Sequence, residues 1–205
     1  MPLHIDSNLA LWYTVHMSTA KTNIIQRRFA VLAALGEVVF HVGDLANLWN
    51  ILDKNTLHTT LKRYAKQGLI HRVFRGLYAI KPIEKINPFL LGTKVMHEFS
   101  YISTETVLED KGIIMQDIGQ ITIVSSKSKN FSIADQHFRS RQLADIYLFN
   151  PLGIEMENGV RTATLERAIA DMLYFNPRAH FDARTLIDWK KVKKMQKEMG
   201  YSIIK

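Results

Sequence analysis

VGDLANLWNILDKNTLHTTLKRYAKQGLIHRVFRGLYAIK, residues 42–81, is the stretch whose pattern decides the fold. Val42, Leu45, Ala46 and Trp49 recur at i, i+3, i+4 and i+7, which predicts a helix from about Gly43 to Trp49 with one face in a core. Asn50-Ile51-Leu52-Asp53 reads as a turn. Asn55 is the expected N-cap of a second helix, which runs to Gln67 and stops at Gly68 in a left-handed conformation. Its buried stripe is Leu57, Leu61, Tyr64 and Ala65; Thr56, His58, Thr59, Lys62, Arg63 and Lys66 fall on the other face. Ile70 to Phe74 then alternates as a strand, Arg75-Gly76 forms a turn that glycine's freedom at positive φ permits, and Leu77 to Ile80 returns. Pro82 cannot extend the ladder. Helix, turn, helix, hairpin is the order of a winged helix-turn-helix, which lays its second helix in the major groove of DNA.

Upstream, Asn23 is placed to cap a helix through about Leu35, with Ile25, Phe29, Leu32 and Ala33 on one face and Gly36 as the stop. Val38-Val39-Phe40 is β-branched and aromatic, so it is expected to be a short strand pairing with the wing. The winged domain therefore spans residues 23–82. Residues 1–22 read as an N-terminal arm without a clear pattern. A charged linker from Pro82 to Pro88 leads into a second domain over residues 87–205.

That second domain alternates between helical and strand patterns. Helices are expected at about Phe89–Phe99, after Ser103 as far as Gly112, and from Thr164 to about Tyr174. Two more are expected at about Ala183–Trp189 and Lys190–Met199. Strands are expected at Ile121–Val124, Phe131–Ile133, Phe138–Leu143 and Ile146–Phe149. A hairpin is expected from Gly153–Glu157 to Val160–Thr162 around Asn158-Gly159. In the helix after Thr164, the stripe Leu165, Ala168, Ile169, Met172 and Leu173 is placed inside, with Arg167 and Asp171 as an i,i+4 pair outside. The whole is an α+β chain: a winged helix-turn-helix followed by a mixed α+β domain.

The chain has 205 residues, 47% of them hydrophobic, and no cysteine. Disulfides and thiolate metal sites are excluded, and a reducing cytoplasm is the expected setting. No apolar run reaches the about 18–20 residues that cross a bilayer, and the N-terminus lacks the pattern of a signal peptide. The net charge is +8, unevenly spread. Residues 1–86 hold 11 basic against 5 acidic side chains, residues 87–189 hold 10 against 13, and residues 190–205 hold 6 against 1. Basic ends around an acidic middle point to a polyanionic partner for the ends.

A reading helix needs short polar and basic side chains near its N-terminus for base edges and longer cations for phosphates. Thr56, His58 and Thr59 fit base-edge contacts. Lys54, Lys62 and Arg63 fit phosphates, and Arg63 also suits a guanine. Asn55 and the helix N-terminus offer N–H groups to a phosphate. Arg72 and Arg75 on the wing would reach the adjacent backbone or minor groove. Lys190, Lys191, Lys193, Lys194 and Lys197 form a further basic face, either simply solvated or an auxiliary contact to DNA or to an acidic partner.

Enzymatic motifs are absent from the sequence. The eight His form no H-E-x-x-H spacing, no Gly-rich phosphate loop occurs, and Ser100 and Ser103 are best explained by local structure, Ser103 as a helix cap. Glu155 and Glu157 share a strand face, but no lysine follows in a nuclease-like pattern, and both are expected to face solvent. No catalytic residue, metal or cofactor is expected.

Three stretches together resemble the AbiEi-type antitoxin family of type IV toxin–antitoxin systems. They are residues 61–70 with Arg75-Gly76-Leu77-Tyr78-Ala79-Ile80; Ser100 through Leu108 with Gly112-Ile113-Ile114; and Ala163 through Tyr174. The family usually reads Thr-Pro-Glu-Lys-Ala where this chain has Thr164-Leu165-Glu166-Arg167-Ala168. The resemblance implies a non-catalytic repressor of its own promoter that binds repeated duplex sites. It also implies a nucleotidyltransferase-like toxin encoded in an adjacent gene. Two alternatives stand beside it: a stand-alone winged-helix regulator whose second domain senses a ligand or dimerises, and a nuclease. The oligomeric state, monomer or dimer, is left open.

Overall fold

A computed structural model describes residues 23–116 and 118–202. The expected N-terminal arm, residues 1–22, lies outside the described residues. The architecture is α+β. Residues 23–34 are helical (α1), so Asn23 lies inside the helix rather than capping it; Gly36, at φ 67°, follows its end. Then come β1 (Val39–His41), α2 (Val42–Leu48), α3 (Lys54–Lys66), β2 (His71–Phe74) and β3 (Leu77–Ala79). The strands form a sheet of order β1-β3-β2, antiparallel throughout. The helix, strand, helix, turn, helix, hairpin succession read from residues 23–81 is thus observed.

This small sheet has two apolar faces. Phe40 and Tyr78 pack with Leu32, Leu45, Trp49, Leu57, Leu61, Tyr64 and Ile70 under the three helices. Val39, Val73, Leu77 and Ala79 join the larger core formed by the rest of the chain. Strand alternation produces both faces at once, because successive side chains point to opposite sides. The junction is also polar. His41 Nε2 lies 2.6 Å from the carbonyl of Lys94, the His41 and His97 ring centroids are 3.7 Å apart, and Lys94 Nζ meets Glu37 at 2.6 Å.

After a 3-10 turn at Ile83–Lys85 the chain forms α4 (Pro88–Met96), β4 (Ser100–Ile102), α5 (Glu105–Asp110), β5 (Gln120–Ser125), β6 (Lys129–Ile133) and β7 (Gln136–Gln142). There follow α6 (Asp145–Leu148), β8 (Ile154–Glu157), β9 (Val160–Ala163), α7 (Leu165–Phe175) and α8 (Trp189–Met199). Six strands make a mixed sheet of order β6-β7-β5-β4-β9-β8. Its central β5 is buried from Ile121 to Ser125, covered on both faces. Helix α4 packs on the face carrying Ile123 and Phe138, close enough that a Cβ on Gly92 would meet Phe138 at 2.5 Å. Helix α5 lies on the opposite face, where Glu105 pairs with Arg141. The Asn158-Gly159 turn is as read, both residues having positive φ (49° and 79°).

Several expectations are corrected. Ile146–Phe149 is not a strand; Asp145–Leu148 is a helical turn. Of the two helices expected after Pro177, the first is only a 3-10 turn at Arg184–Leu186. Ser103 does not cap α5, whose N-cap Thr104 has φ 52° and makes no side-chain capping bond. Ser103 instead donates to Asp171 at 2.9 Å.

The largest correction concerns Arg167 and Asp171. They form the expected i,i+4 pair at 2.9 Å, but both side chains are 0% exposed. Helix α7 is enclosed by β9, α5 and α8, so the side expected to face water is covered. Asp171 accepts four hydrogen bonds: from Arg167 Nε, Tyr201 (2.7 Å), Ser103 and Tyr101 (3.0 Å). Arg167 donates further to the carbonyls of Asn150, Leu152 and Tyr147 and to the Tyr101 hydroxyl. Burial pushes the Asp171 carboxyl up, opposed by Arg167 and the three hydroxyls. Burial and then the Asp171 charge raise Tyr101 and Tyr201, which stay protonated donors. One fully paired ion cluster thus joins β4, α7, the loop around Asn150 and the C-terminal Tyr201.

Candidate nucleic-acid interface

Helix α3 is built to show one polar face. Leu57, Thr60, Leu61 and Tyr64 are buried, and Ala65 is half-buried against the same core. Lys54, Asn55, Thr56, His58, Thr59, Lys62, Arg63 and Lys66 are all exposed. The 13-residue helix brings these side chains onto a single surface. The Arg63 guanidinium lies 5.3 Å from the Tyr64 ring centroid, so an aromatic face steadies part of its stem.

The N-terminus of α3 differs from expectation. Asp53, not Asn55, is the N-cap. Its Oδ1 accepts from the Thr56 backbone N–H at 2.8 Å and from the Thr56 hydroxyl at 2.6 Å. Those donors, the hydroxyl first, hold the Asp53 carboxyl below its ordinary range. A carboxylate thus occupies the place proposed for a phosphate, and like charges repel there. Asn55 remains an exposed side chain in the first turn of the helix, available as a side-chain donor. The Thr56 hydroxyl has spent its proton on Asp53 and is left as an acceptor.

The β2–β3 hairpin carries Arg72 and Arg75, both exposed. Gly76, at φ 75°, closes the turn, and its carbonyl accepts from Val42 N–H at 2.8 Å, which pins the tip to the start of α2. A register shift between Arg72 and Phe74 bends β2, and Phe74 turns to Phe131 of the larger sheet at 5.7 Å between ring centroids. Sequence reasoning did not pick out Arg28 of α1, which donates to the Tyr64 hydroxyl at 2.9 Å and lies over Trp49 at 5.6 Å. Its charge rests on two core aromatics, a contact between distant positions that no local pattern announces.

Lys190, Lys191, Lys193, Lys194 and Lys197 are exposed along α8, while Val192, Gln196 and Met199 are buried. Asp188 caps this helix through the N–H groups of Lys190 and Lys191, both at 3.1 Å. Lys191 and Lys194 reach Asp188 and Glu198 only at 3.9 and 3.8 Å, so the face keeps most of its positive charge. Helix α8 packs on α7 and shows this surface outward, on a different element from α3 and the hairpin.

Glu155 and Glu157 are exposed on the edge strand β8. Among the described residues no three His, Asp or Glu side chains converge to hold a metal ion, and no helix is long and apolar enough to cross a membrane.

No protein-family model matches the chain, and no curated protein matches it. Among solved structures, it is similar to the crystal structure of the RV2827C protein from Mycobacterium tuberculosis. That likeness has 12% identity and a TM-score of 0.47, and it covers 86% of this chain and 67% of the other.

Proposed function

We propose that the chain is a duplex-DNA-binding transcriptional regulator, without catalytic activity, whose residues 23–82 work as a winged helix. The observation that carries this is the exposed face of α3, with Lys54, Lys62, Arg63 and Lys66 around Thr56, His58 and Thr59, beside the exposed Arg72 and Arg75 of the hairpin. A solvated helix of a stable core does not need four cations and no carboxylate on its outer side. A major-groove reader does, because phosphates position it and short polar groups reach base edges. The Asp53 cap displaces the expected phosphate contact from the backbone N–H groups at the start of α3 to the side chains of Lys54, Lys62 and the hairpin arginines. The test is a titration of fluorescent duplex DNA from upstream of the protein's own gene. Specific binding whose logarithm falls linearly with the logarithm of salt supports the proposal; equal affinity for unrelated duplex of the same length removes the specific part of it.

Within this class, the resemblance in residues 61–80, 100–114 and 163–174 favours an autoregulating, cytoplasmic antitoxin of the AbiEi type, partnered by a nucleotidyltransferase-like toxin. Co-expression with the product of the adjoining gene checks this. Rescue of growth supports the antitoxin role, and growth arrest unchanged by this protein leaves a stand-alone regulator.

A further inference from the structure

Helices α5 and α7 leave part of the sheet uncovered where β6 and β7 run out. There Lys129, Asn130, Arg139, Arg141, Gln142 and Phe175 line an open groove of about 430 Å³. Two guanidiniums occupy adjacent positions on one side of β7. Arg141 is the inner one, with 15% of its side chain exposed; it pairs with Glu105 and lies over Phe175 at 5.3 Å. Its buried Nε has no hydrogen-bond partner among the described residues. Arg139 is exposed and makes no ion pair among the described residues. Burial pulls the Arg141 pKa down, Glu105 pushes it back, and the Arg139 charge pulls it down again. Two cations therefore repel each other beside one carboxylate.

We propose that this groove binds a phosphorylated small molecule, its phosphate held between Arg139 and Arg141. An anion there relieves the repulsion between the arginines. A phosphate oxygen accepts from guanidinium N–H groups in the bidentate geometry that arginine provides. Asn130, paired with Arg139 in the β6–β7 register, supplies a neutral donor beside it. The volume admits a ligand the size of a nucleoside phosphate, within the usual range for small-molecule sites. The site lies on the α5 side of the six-stranded sheet and does not depend on the DNA-binding role of α3.

The experiment is calorimetric titration of the full chain with inorganic phosphate, with ADP and with adenosine, on the wild type and on Arg139→Gln. The expected result is saturable one-to-one binding of ADP, inorganic phosphate or both, none for adenosine, and at least tenfold weaker binding by Arg139→Gln. ADP binding without phosphate binding identifies a nucleotide-sized ligand; equal binding of the two identifies the free anion. Arg139 is exposed, so the variant should keep the wild-type unfolding midpoint. If it does not, amide chemical-shift changes on ligand addition decide, because they must centre on Asn130, Arg139 and Gln142. Adenosine binding as well as ADP, no binding of any probe at millimolar concentration, undiminished binding by a folded variant, or shifts centred elsewhere overturns the proposal.

Discussion

Asp171→Ala is the substitution that most severely tests how the second half of the chain holds together. It removes the acceptor of four hydrogen bonds, from Arg167, Tyr201, Ser103 and Tyr101. It leaves Arg167, 0% exposed, without its counter-ion. The carbonyls of Asn150, Leu152 and Tyr147 still solvate the guanidinium, but carbonyl dipoles do not neutralise it. Breaking a buried pair on one side costs about 3–5 kcal/mol, against a total stability of about 5–15 kcal/mol for a folded chain. With a urea slope of about 2 kcal/mol per molar, the unfolding midpoint should fall by about 2 M. Tyr201→Phe deletes one donor and keeps the ion pair; a hydrogen bond to a charged group is worth about 1.5–3 kcal/mol, so its cost sits at or below that range. The double variant Arg167→Met with Asp171→Leu removes both charges and should cost less than the sum of the single losses. Urea melts followed by circular dichroism measure all of these. A loss below about 1 kcal/mol for Asp171→Ala, or strict additivity in the double variant, would refute the picture of a buried, mutually dependent pair.

Gly92→Ala should destabilise by about 1–3 kcal/mol through overpacking, because its Cβ would lie 2.5 Å from Phe138 and 2.9 Å from Ile123; an unchanged thermal midpoint means that α4 sits further from the sheet. Gly153→Ala should be at least as harmful, since its φ is +69° and its Cβ would meet Arg167 Cβ at 2.8 Å; a wild-type midpoint for it would contradict the close approach of the β8 entry to α7. His41 makes the junction pH-sensitive. Burial first, then the charges of His97 and Lys94, lower its pKa below the ordinary 6.5, against the Lys94 carbonyl and Asp44. Below pH 6.5 the unfolded chain takes up this proton more readily than the folded one, so the His41 contribution is full above that pH and is lost as pH falls through the folded pKa. Stability of the wild type should decline as pH falls below 6.5 more steeply than that of His41→Gln, and parallel profiles would remove His41 from the junction's pH response.

The elements that were legible in the sequence are those whose signals are local. The stripe Val42, Leu45, Ala46 and Trp49 needs only helical spacing to be recognised, and Asn158-Gly159 needs only the turn type that hairpin twist demands. Ile146-Tyr147-Leu148-Phe149 looks like a strand by residue type, but propensity is a weak prior, and Leu148 is buried and Tyr147 packs on Tyr201 in a helical turn instead. Asp53 and Asn55 are both good N-caps, and only the backbone conformation at Asp53 decides between them. Helical spacing alone puts the Arg167–Asp171 pair outside, because charged i,i+4 pairs usually face water. A correcting signal was present: Ala168, Ile169, Ala170, Met172 and Leu173 are apolar over more than one face, the mark of a helix covered on several sides. The candidate interface was legible as a set of exposed residues on α3 and the hairpin. The groove at Arg139 and Arg141 was not, because it depends on which strands meet and where the helices end.

The claim that the molecule reads DNA through α3 and the hairpin is tested most directly by one binding series. Fluorescence anisotropy with upstream duplex, at several salt concentrations, is compared for the wild type, Arg63→Ala and Arg75→Ala. Both substituted side chains are exposed, so folding should be preserved. The account predicts that each variant weakens binding by about 1–3 kcal/mol if its arginine contacts a base, or lowers the salt slope by about 1 if it contacts a phosphate. Affinity and salt slope identical to the wild type in both variants would contradict it.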